Sequence, residues 1–534
     1  MSAPLPEAYL RDEDMGLHLR EGSTLAHFQR AGEEKTLERR AIVAGDQAVT
    51  GRELRLQVNR YARLFKSHGL GRGSGLSILA VNRPEVVFAS YAAELLGIRY
   101  TPLHPMNALT DHVFVLTDGE IDTLIVDEAY GELGRELAAR CSGLKRIFTF
   151  GPADFGIDIC EAANDFEPTA VGIEALPHDI ARISYTGGTT GRPKGVVHRH
   201  RSLTSYLTQS LAFWEWPSEV RLLVASPISH AAGALITPTL IRGGEFHMLA
   251  GFDPESFLAT VERERITCSF IVPSMLYRLL DHPTIRDFDL SSLEMVVYGA
   301  SPMSPIRLRQ ALDIFGPVFC QLYGQTEMPN MITYLSKAEH DPCRPHLLGS
   351  AGRPVPGNDV RLLDENNHEV PPGANGEVCV RSPLVMDGYW RRPEETEAAF
   401  SGGWLHTGDI GKFDPDGFLY IVDRAKDVII TGGFNVYPRE IEDVLVEHPA
   451  VAAAVVIGAP DPKWGEAVTA VVVTRPEIAV TAEELIAFVR GRKGPLHAPK
   501  SVSIVDQIPM TAVGKPDRKA VRARYWNGTA RQIG

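Results

Sequence analysis

The chain has 534 residues, 44% of them apolar and 23% charged, so it is neither a disordered polymer nor too short to bury several cores. At roughly 150 residues per folding unit the length allows about three or four. Lys and Arg total 54 against 67 Asp and Glu, and the formal charge of −13 repels polyphosphate backbones; no basic stripe offsets it, because Arg518, Lys519, Arg522 and Arg524 are few and spread out, so no nucleic-acid partner is expected.

The longest uncharged apolar run toward the end, Pro449 to Pro460, is too short to cross a bilayer, so no integral membrane association is expected. The opening MSAPLPEAYLRDED lacks the basic-then-apolar order of a secretory signal. Cys141, Cys160, Cys268, Cys320, Cys343 and Cys379 lie far apart with no CxxC spacing, which fits reduced thiols and a cytoplasmic location.

In chain order, Thr50 and Glu53 form a capping-box pattern, and Leu54, Val58, Tyr61 and Phe65 then share one helical face. Gly75 to Val81 reads as a buried strand, punctuated by Asn82-Arg83-Pro84 before another helical stretch. Leu124 to Val126, Leu222 to Ala225, Thr267 to Val272 and Met295 to Tyr298 repeat the strand theme with helices between. This alternation predicts parallel, doubly wound α/β sheets. From about Gly349 to Tyr420 the chain is dense in Gly, Pro and Asp, and Gly376 to Arg381 alternates like an antiparallel strand, predicting a small β-rich subdomain over residues 349–423. After Asp423 a third style begins. Pro438 can open a helix with Ile441, Val444 and Leu445 on one face, strands follow at Val451 to Ile457 and Ala467 to Val473, and Thr481 with Glu484 caps another helix before a strand at Ser501 to Val505. The expected organisation is a large N-terminal domain over residues 1–425 and a small, mobile α+β C-terminal domain over 426–534.

The most informative segment is Ile183 to Gly195, ISYTGGTTGRPKG. An apolar run meets a loop in which Gly187, Gly188 and Gly191 alternate with Thr186, Thr189 and Thr190 before Lys194. Glycines let successive N–H groups turn toward one anion, hydroxyls add donors, and the lysine brings a point charge. It is not a Walker A loop, because GK[ST] is missing. Downstream, in order, come Tyr323-Gly324-Gln325-Thr326-Glu327, then Trp404 to Asp409 (WLHTGD), Asp423 to Glu442 (DRAKDVIITGGFNVYPREIE) and Ile508 to Lys519 (IPMTAVGKPDRK).

These blocks, in this order over essentially the whole chain, resemble those of the acyl-adenylate-forming ligases, most closely the acyl-CoA and fatty-acid–CoA ligases. The resemblance implies that Thr186, Gly187, Gly188, Thr189, Thr190 and Lys194 hold the ATP phosphates, together with Thr326. It places Tyr323, Ala300 and Ser301 beside adenine, and Asp409 and Arg424 at the ribose and phosphates. Glu327 and Thr186 would hold Mg²⁺, a hard cation that takes hard oxygen ligands. His230, within Ser229-His230-Ala231-Ala232-Gly233, would lie at the acid pocket and thiol entrance as a catalytic residue, with Gly299, Gly324, Met328 and Met331 lining the pocket. Gly432, Gly433 and Trp464 would meet CoA, Lys426 would be the hinge, and Lys515 the catalytic lysine.

The physical case for Lys515 is electrostatic. A carboxylate must approach the α-phosphorus of ATP, and two unit charges about 4 Å apart at an effective dielectric near 20 repel by roughly 4 kcal/mol. A positioned ammonium reverses that sign. The expected reaction is ATP-dependent formation of an acyl-AMP with release of pyrophosphate, followed by transfer to CoA. No acidic residue in the pocket segments is placed as an amino-acid clamp, so a fatty, aryl or alicyclic monocarboxylic acid is favoured. The alternatives are transfer to an amine (amide bond synthetase), service to a carrier protein as a stand-alone aryl-acid adenylating enzyme, and a non-catalytic nucleotide sensor. Retention of Lys515, Thr186, Lys194 and Glu327 together argues against the sensor. A homodimer is compatible with the sequence.

Overall fold

A computed structural model describes residues 22–186, 193–431, 434–475, 478–510 and 516–526. The apolar runs read from the sequence become strands whose residues leave solvent. Gly75–Leu79, Thr123–Asp127, Cys268–Ile271 and Met295–Tyr298 are buried along their whole length. Strands covered on both faces read as continuous apolar runs, the signature of parallel sheets between helices. The capping box at Thr50 is formed: its side chain accepts from the Glu53 N–H, and Leu54, Val58, Tyr61 and Phe65 of the helix Gly51–Ser67 are buried.

Contacts divide the chain into two units. The first holds the residues up to Leu348 with Gly352–Asp359 and Arg381–Phe400; the second holds Gly349–Ala351, Val360–Val380 and the residues from Ser401 onward. Lys426 lies inside the second unit.

In the first unit, a nine-stranded sheet runs in the spatial order Arg353–Pro354, Met328–Leu335, Phe319–Gln325, Met295–Tyr298, Cys268–Ile271, Arg221–Val224, Glu245–Met248, Arg40–Ala44 and Gln47–Thr50. Its centre is parallel and its edges antiparallel. A second sheet has eight strands in the order Gly388–Tyr389, Lys194–Arg199, Ile180–Thr186, Arg99–Pro102, Gly75–Leu79, Thr123–Asp127, Arg146–Phe150 and Ile157–Asp158. Helices cover the sheets, and one large core gathers Leu258, Leu276, Tyr298, Leu308 and Phe319.

The second unit carries a four-stranded antiparallel sheet, Asp359–Leu363, Gly376–Arg381, Leu405–Phe413 and Leu419–Arg424. Beyond it lies a sheet built on the long hairpin Val451–Asp461 and Gly465–Thr474. The helix opened by Pro438 buries Ile441, Val444 and Leu445 against that sheet, and Thr481 caps the helix Ala482–Lys493 through the Glu484 N–H. The first hairpin strand runs four residues past the expected end at Ile457, to Asp461. Gly458 permits this, because a Cβ there would meet the Glu466 carboxylate on the opposite strand at 2.8 Å. None of the helices among the described residues is long and apolar enough to cross a membrane.

One buried histidine makes a pH test of the first unit. His340 packs edge to face on Tyr298, its Nε2 lies 3.0 Å from the Tyr298 hydroxyl, and its Nδ1 lies 2.7 Å from the Ser336 carbonyl. Burial pushes this imidazole down to about 4. The unfolded chain binds a proton near pH 6.5 and the folded chain does not, so the stability this contributes is present at pH 7 and lost as pH falls toward 4. The loss is about 1.4 kcal/mol per pH unit inside that window. His340→Gln should flatten the dependence of unfolding free energy on pH between 6 and 5 by about that amount. Parallel slopes for variant and parent in denaturant titrations would contradict the assignment.

Candidate active site

In the first unit the candidate residues gather at strand ends and turns. Thr186 is the last residue of Ile180–Thr186, Lys194 the first of Lys194–Arg199, and the two pair in register. The intervening Gly187, Gly188, Thr189 and Thr190 lie outside the described residues. Tyr323, Gly324 and Gln325 form the end of the strand Phe319–Gln325. Thr326 and Glu327 form the two-residue turn into Met328–Leu335. Gly324 allows this hairpin to close: a Cβ there would sit 2.5 Å from the Asn330 nitrogen and 2.8 Å from the Met328 carbonyl oxygen, and the register shifts at that point.

Gly299 has a parallel reason. A Cβ there would lie 2.7 Å from the Leu322 carbonyl, so only glycine lets the end of Met295–Tyr298 approach the next strand. Ala300 follows with φ of +67°, a left-handed conformation that costs a non-glycine residue on the order of 1 kcal/mol. Backbone strain of this kind concentrates at functional sites. Ser301 continues the same loop.

The turn is tied to the phosphate-loop strands. Lys194 Nζ sits over the Tyr389 ring, 4.8 Å from its centroid, and the Tyr389 hydroxyl donates to Glu327 Oε1 at 2.9 Å. The Met386 N–H donates to the Glu327 carbonyl at 2.8 Å. On the other side the His198 ring meets the Thr326 carbonyl through Nε2 at 2.7 Å. Burial pushes the His198 imidazole down to about 4, so the ring is neutral and its one N–H belongs on Nε2, facing a carbonyl. Neither Tyr389 nor His198 stands out in the sequence. Their partners lie 62 and 128 residues away, and no local motif marks them.

His230 begins the short helical turn Ala231–Leu235. Its Nδ1 lies 2.9 Å from Ser229 Oγ, and its ring stands perpendicular to that of His104 with centroids 4.5 Å apart. One side of the ring meets solvent while protein crowds the rest; that crowding, with His104 and Arg182 as further positive influences, pushes the imidazole down to about 4. The ring is therefore neutral at pH 7. His104 is a neighbour the sequence did not suggest.

Met328 and Met331 are fully buried, and Met331 Sδ accepts from the Trp214 indole N–H at 2.9 Å. They belong to the core beneath the hairpin and give no open wall to a pocket. Three residues apart on the strand Met328–Leu335, they point to opposite faces of the sheet, and both faces are covered there.

In the second unit, Asp409 and Arg424 are partners in the antiparallel pair Leu405–Phe413 and Leu419–Arg424, with Asp409 Oδ1 2.5 Å from Arg424 Nε. Asp409 is buried and Arg424 half-exposed. Lys426 follows within a short helical turn, where burial lowers the pKa of its ammonium. Trp464 sits at the tip of the long hairpin, 40% exposed, in a turn where Asp461 Oδ1 accepts from the Lys463 and Trp464 N–H groups. Lys463 and Lys500 place their ammonium groups 4.8 and 5.9 Å from the Trp464 ring. Gly432, Gly433 and Lys515 lie outside the described residues.

Arg518 was read in sequence only as a scattered basic residue. It ion-pairs with Asp423 at 3.2 Å, with Asp427 at 3.6 Å and with Glu442, so the start of the helix Arg518–Ala523 is bound to three carboxylates. Burial raises the pKa of Asp423 and Glu442 despite that cation. Removing one partner of a buried pair typically costs about 3 kcal/mol or more. Arg518→Ala should therefore cut hydrogen-exchange protection across residues 440–475; wild-type protection there would show that the cation is dispensable.

Comparison with known proteins agrees with this layout. The AMP-binding enzyme family model matches residues 28–390, and the AMP-binding enzyme C-terminal domain model matches residues 440–515. The medium/long-chain-fatty-acid–CoA ligase FadD8 of Mycobacterium tuberculosis is 46% identical over 98% of this chain and 94% of its own. A feruloyl-CoA synthase of Amycolatopsis is 37% identical over 91% of this chain and 96% of its own. Among solved structures, the amide bond synthetase McbA of Marinactinospora thermotolerans superposes with a TM-score of 0.87 at 36% identity, covering 94% of this chain and 99% of its own. The chain belongs to the AMP-binding enzyme family, the acyl-adenylate-forming ligases.

Proposed function

We propose that this ligase activates a medium- or long-chain fatty acid, or an aryl acid of comparable bulk, and transfers the acyl group to CoA. The observation that carries the acid class is the 46% identity to a medium/long-chain-fatty-acid–CoA ligase over nearly the whole chain. The chemistry is that of an AMP-forming acid–thiol ligase. A carboxylate oxygen attacks the α-phosphorus of ATP, and the bond to pyrophosphate breaks. The CoA sulfur then attacks the acyl carbon, loses its proton, and expels AMP.

Each half-reaction draws on different residues. Thr186, Lys194 and Thr326 bind phosphate, with Gly187, Gly188, Thr189 and Thr190 supplying the loop between. Tyr323, Ala300 and Ser301 bound the adenine. Asp409 takes the ribose hydroxyls, and its ion pair aims Arg424 at the same nucleotide. Glu327 suits a divalent cation: one carboxylate oxygen is taken by Tyr389, and among the described residues the other carries no hydrogen bond. With the Thr186 hydroxyl it offers the hard oxygens Mg²⁺ prefers, and the ion would supply charge neutralisation at the phosphates. His230, neutral at pH 7, adds no charge to the acid pocket that it bounds beside Gly299 and Gly324, and its free ring nitrogen can accept a proton there.

For the second step, Trp464 offers an exposed aromatic face flanked by two ammonium groups, a platform for a purine carrying phosphates. Gly432 and Gly433 would leave room for the pantetheine chain, and rotation about Lys426 would exchange the lysine-bearing face for the thiol-accepting one. The free cysteines among the described residues fit a reducing, cytoplasmic setting. A second reading, transfer to an amine, is favoured by the likeness to the amide bond synthetase.

Two measurements separate these readings. Purified protein with ATP and a panel of fatty, aryl and alicyclic acids should release pyrophosphate, and acyl-CoA should accumulate when CoA is the acceptor. Amide formation with no thioester would instead establish the amine reading. Lys426→Pro should leave pyrophosphate release within about threefold of the parent while slowing thioester formation at least tenfold. Equal losses in both steps would remove the hinge from Lys426.

A further inference from the structure

The Thr326–Glu327 turn is held at three points by residues outside its own hairpin. Two of these are side chains, Tyr389 on the Glu327 carboxylate and His198 on the Thr326 carbonyl, and the third is the Met386 N–H. A carboxylate on a two-residue turn otherwise has free rotors, and ordering such a side chain costs conformational entropy. Groups that fix it beforehand remove that cost from binding.

Both side chains are themselves fixed. Tyr389 pairs in strand register with Val196, the Trp390 N–H donates to the Gly195 carbonyl at 2.7 Å, and the Trp390 indole donates to the Asp118 carbonyl at 2.9 Å. His198 is 1% exposed, and its Nδ1 lies 3.4 Å from Ser202 Oγ. The Tyr389 ring carries the Lys194 ammonium on its face, so one side chain touches both a phosphate-loop cation and the acidic turn.

We propose that Tyr389 and His198 are positioning residues for the ATP half-reaction: the phenol fixes one oxygen of Glu327 so that the other faces the divalent cation, and the imidazole fixes the peptide that carries Thr326. This rests on the reading of Glu327 as the metal ligand. Neither side chain reacts; together they set how tightly the metal–nucleotide pair is held.

The test uses the full chain with Mn²⁺ and α,β-methylene-ATP, whose binding is followed by electron paramagnetic resonance, beside steady-state constants with Mg²⁺ and ATP. Tyr389→Phe keeps the ring under Lys194 and deletes only the hydroxyl; it should weaken Mn²⁺ binding about tenfold and raise the KM for ATP, leaving the KM for the acid unchanged. His198→Leu should weaken Mn²⁺ binding severalfold, and His198→Gln should recover part of that loss because its amide can still donate to Thr326. Glu327→Gln is the control. If it weakens Mn²⁺ binding while Tyr389→Phe and both His198 variants match the parent, the positioning role is overturned and the metal ligand stands. If Glu327→Gln also binds Mn²⁺ as the parent does, the underlying reading of Glu327 falls.

Discussion

Joining a carboxylic acid to ATP requires two anions to touch, and nearly every feature of the candidate site answers to that constraint. In water the repulsion is screened; in a pocket dry enough to protect an acyl-adenylate it is not, and it reaches several kcal/mol at contact distance. The chain therefore brings fixed positive charge and oriented donors to one place. Lys194 lies at the start of a strand, with Thr186 opposite it in register. The acid turn at Glu327 is clamped by Tyr389, which also carries that lysine on its ring.

The two units solve different parts of the problem. The first, built on large sheets with parallel centres, places its loops where successive strands end, and Gly299 and Gly324 let backbones approach more closely than any side chain would allow. Among the described residues, the second has no large parallel sheet. It holds the Asp409–Arg424 pair on a small antiparallel sheet and Trp464 on the tip of a hairpin. Arg518 ties the start of the helix Arg518–Ala523 to Asp423, Asp427 and Glu442.

Much of this was legible in the sequence because the chemistry demands particular residue types close together along the chain. A phosphate loop needs glycines and hydroxyls in succession, and the capping boxes at Thr50 and Thr481 are local by construction. Apolar runs such as Met295 to Tyr298 became strands with the same ends. What could not be read depends on pairs distant in sequence. Tyr389 meets Glu327 across 62 residues, His198 meets Thr326 across 128, and Arg518 meets Asp423 across 95. The full burial of Met328 and Met331, expected at the acid pocket, likewise follows from the pairing of Met328–Leu335 with strands that lie beyond any local motif.

The proposed chemistry turns on charge neutralisation by Lys515, and separating the two half-reactions tests that role most directly. In Lys515→Ala, acid-dependent exchange of labelled pyrophosphate into ATP should fall by about a thousandfold, the rate equivalent of roughly 4 kcal/mol. The same variant, given synthetic acyl-AMP and CoA, should still form acyl-CoA at close to the parental rate. Exchange that survives the substitution, or loss of both activities in parallel, would contradict the role assigned to that ammonium.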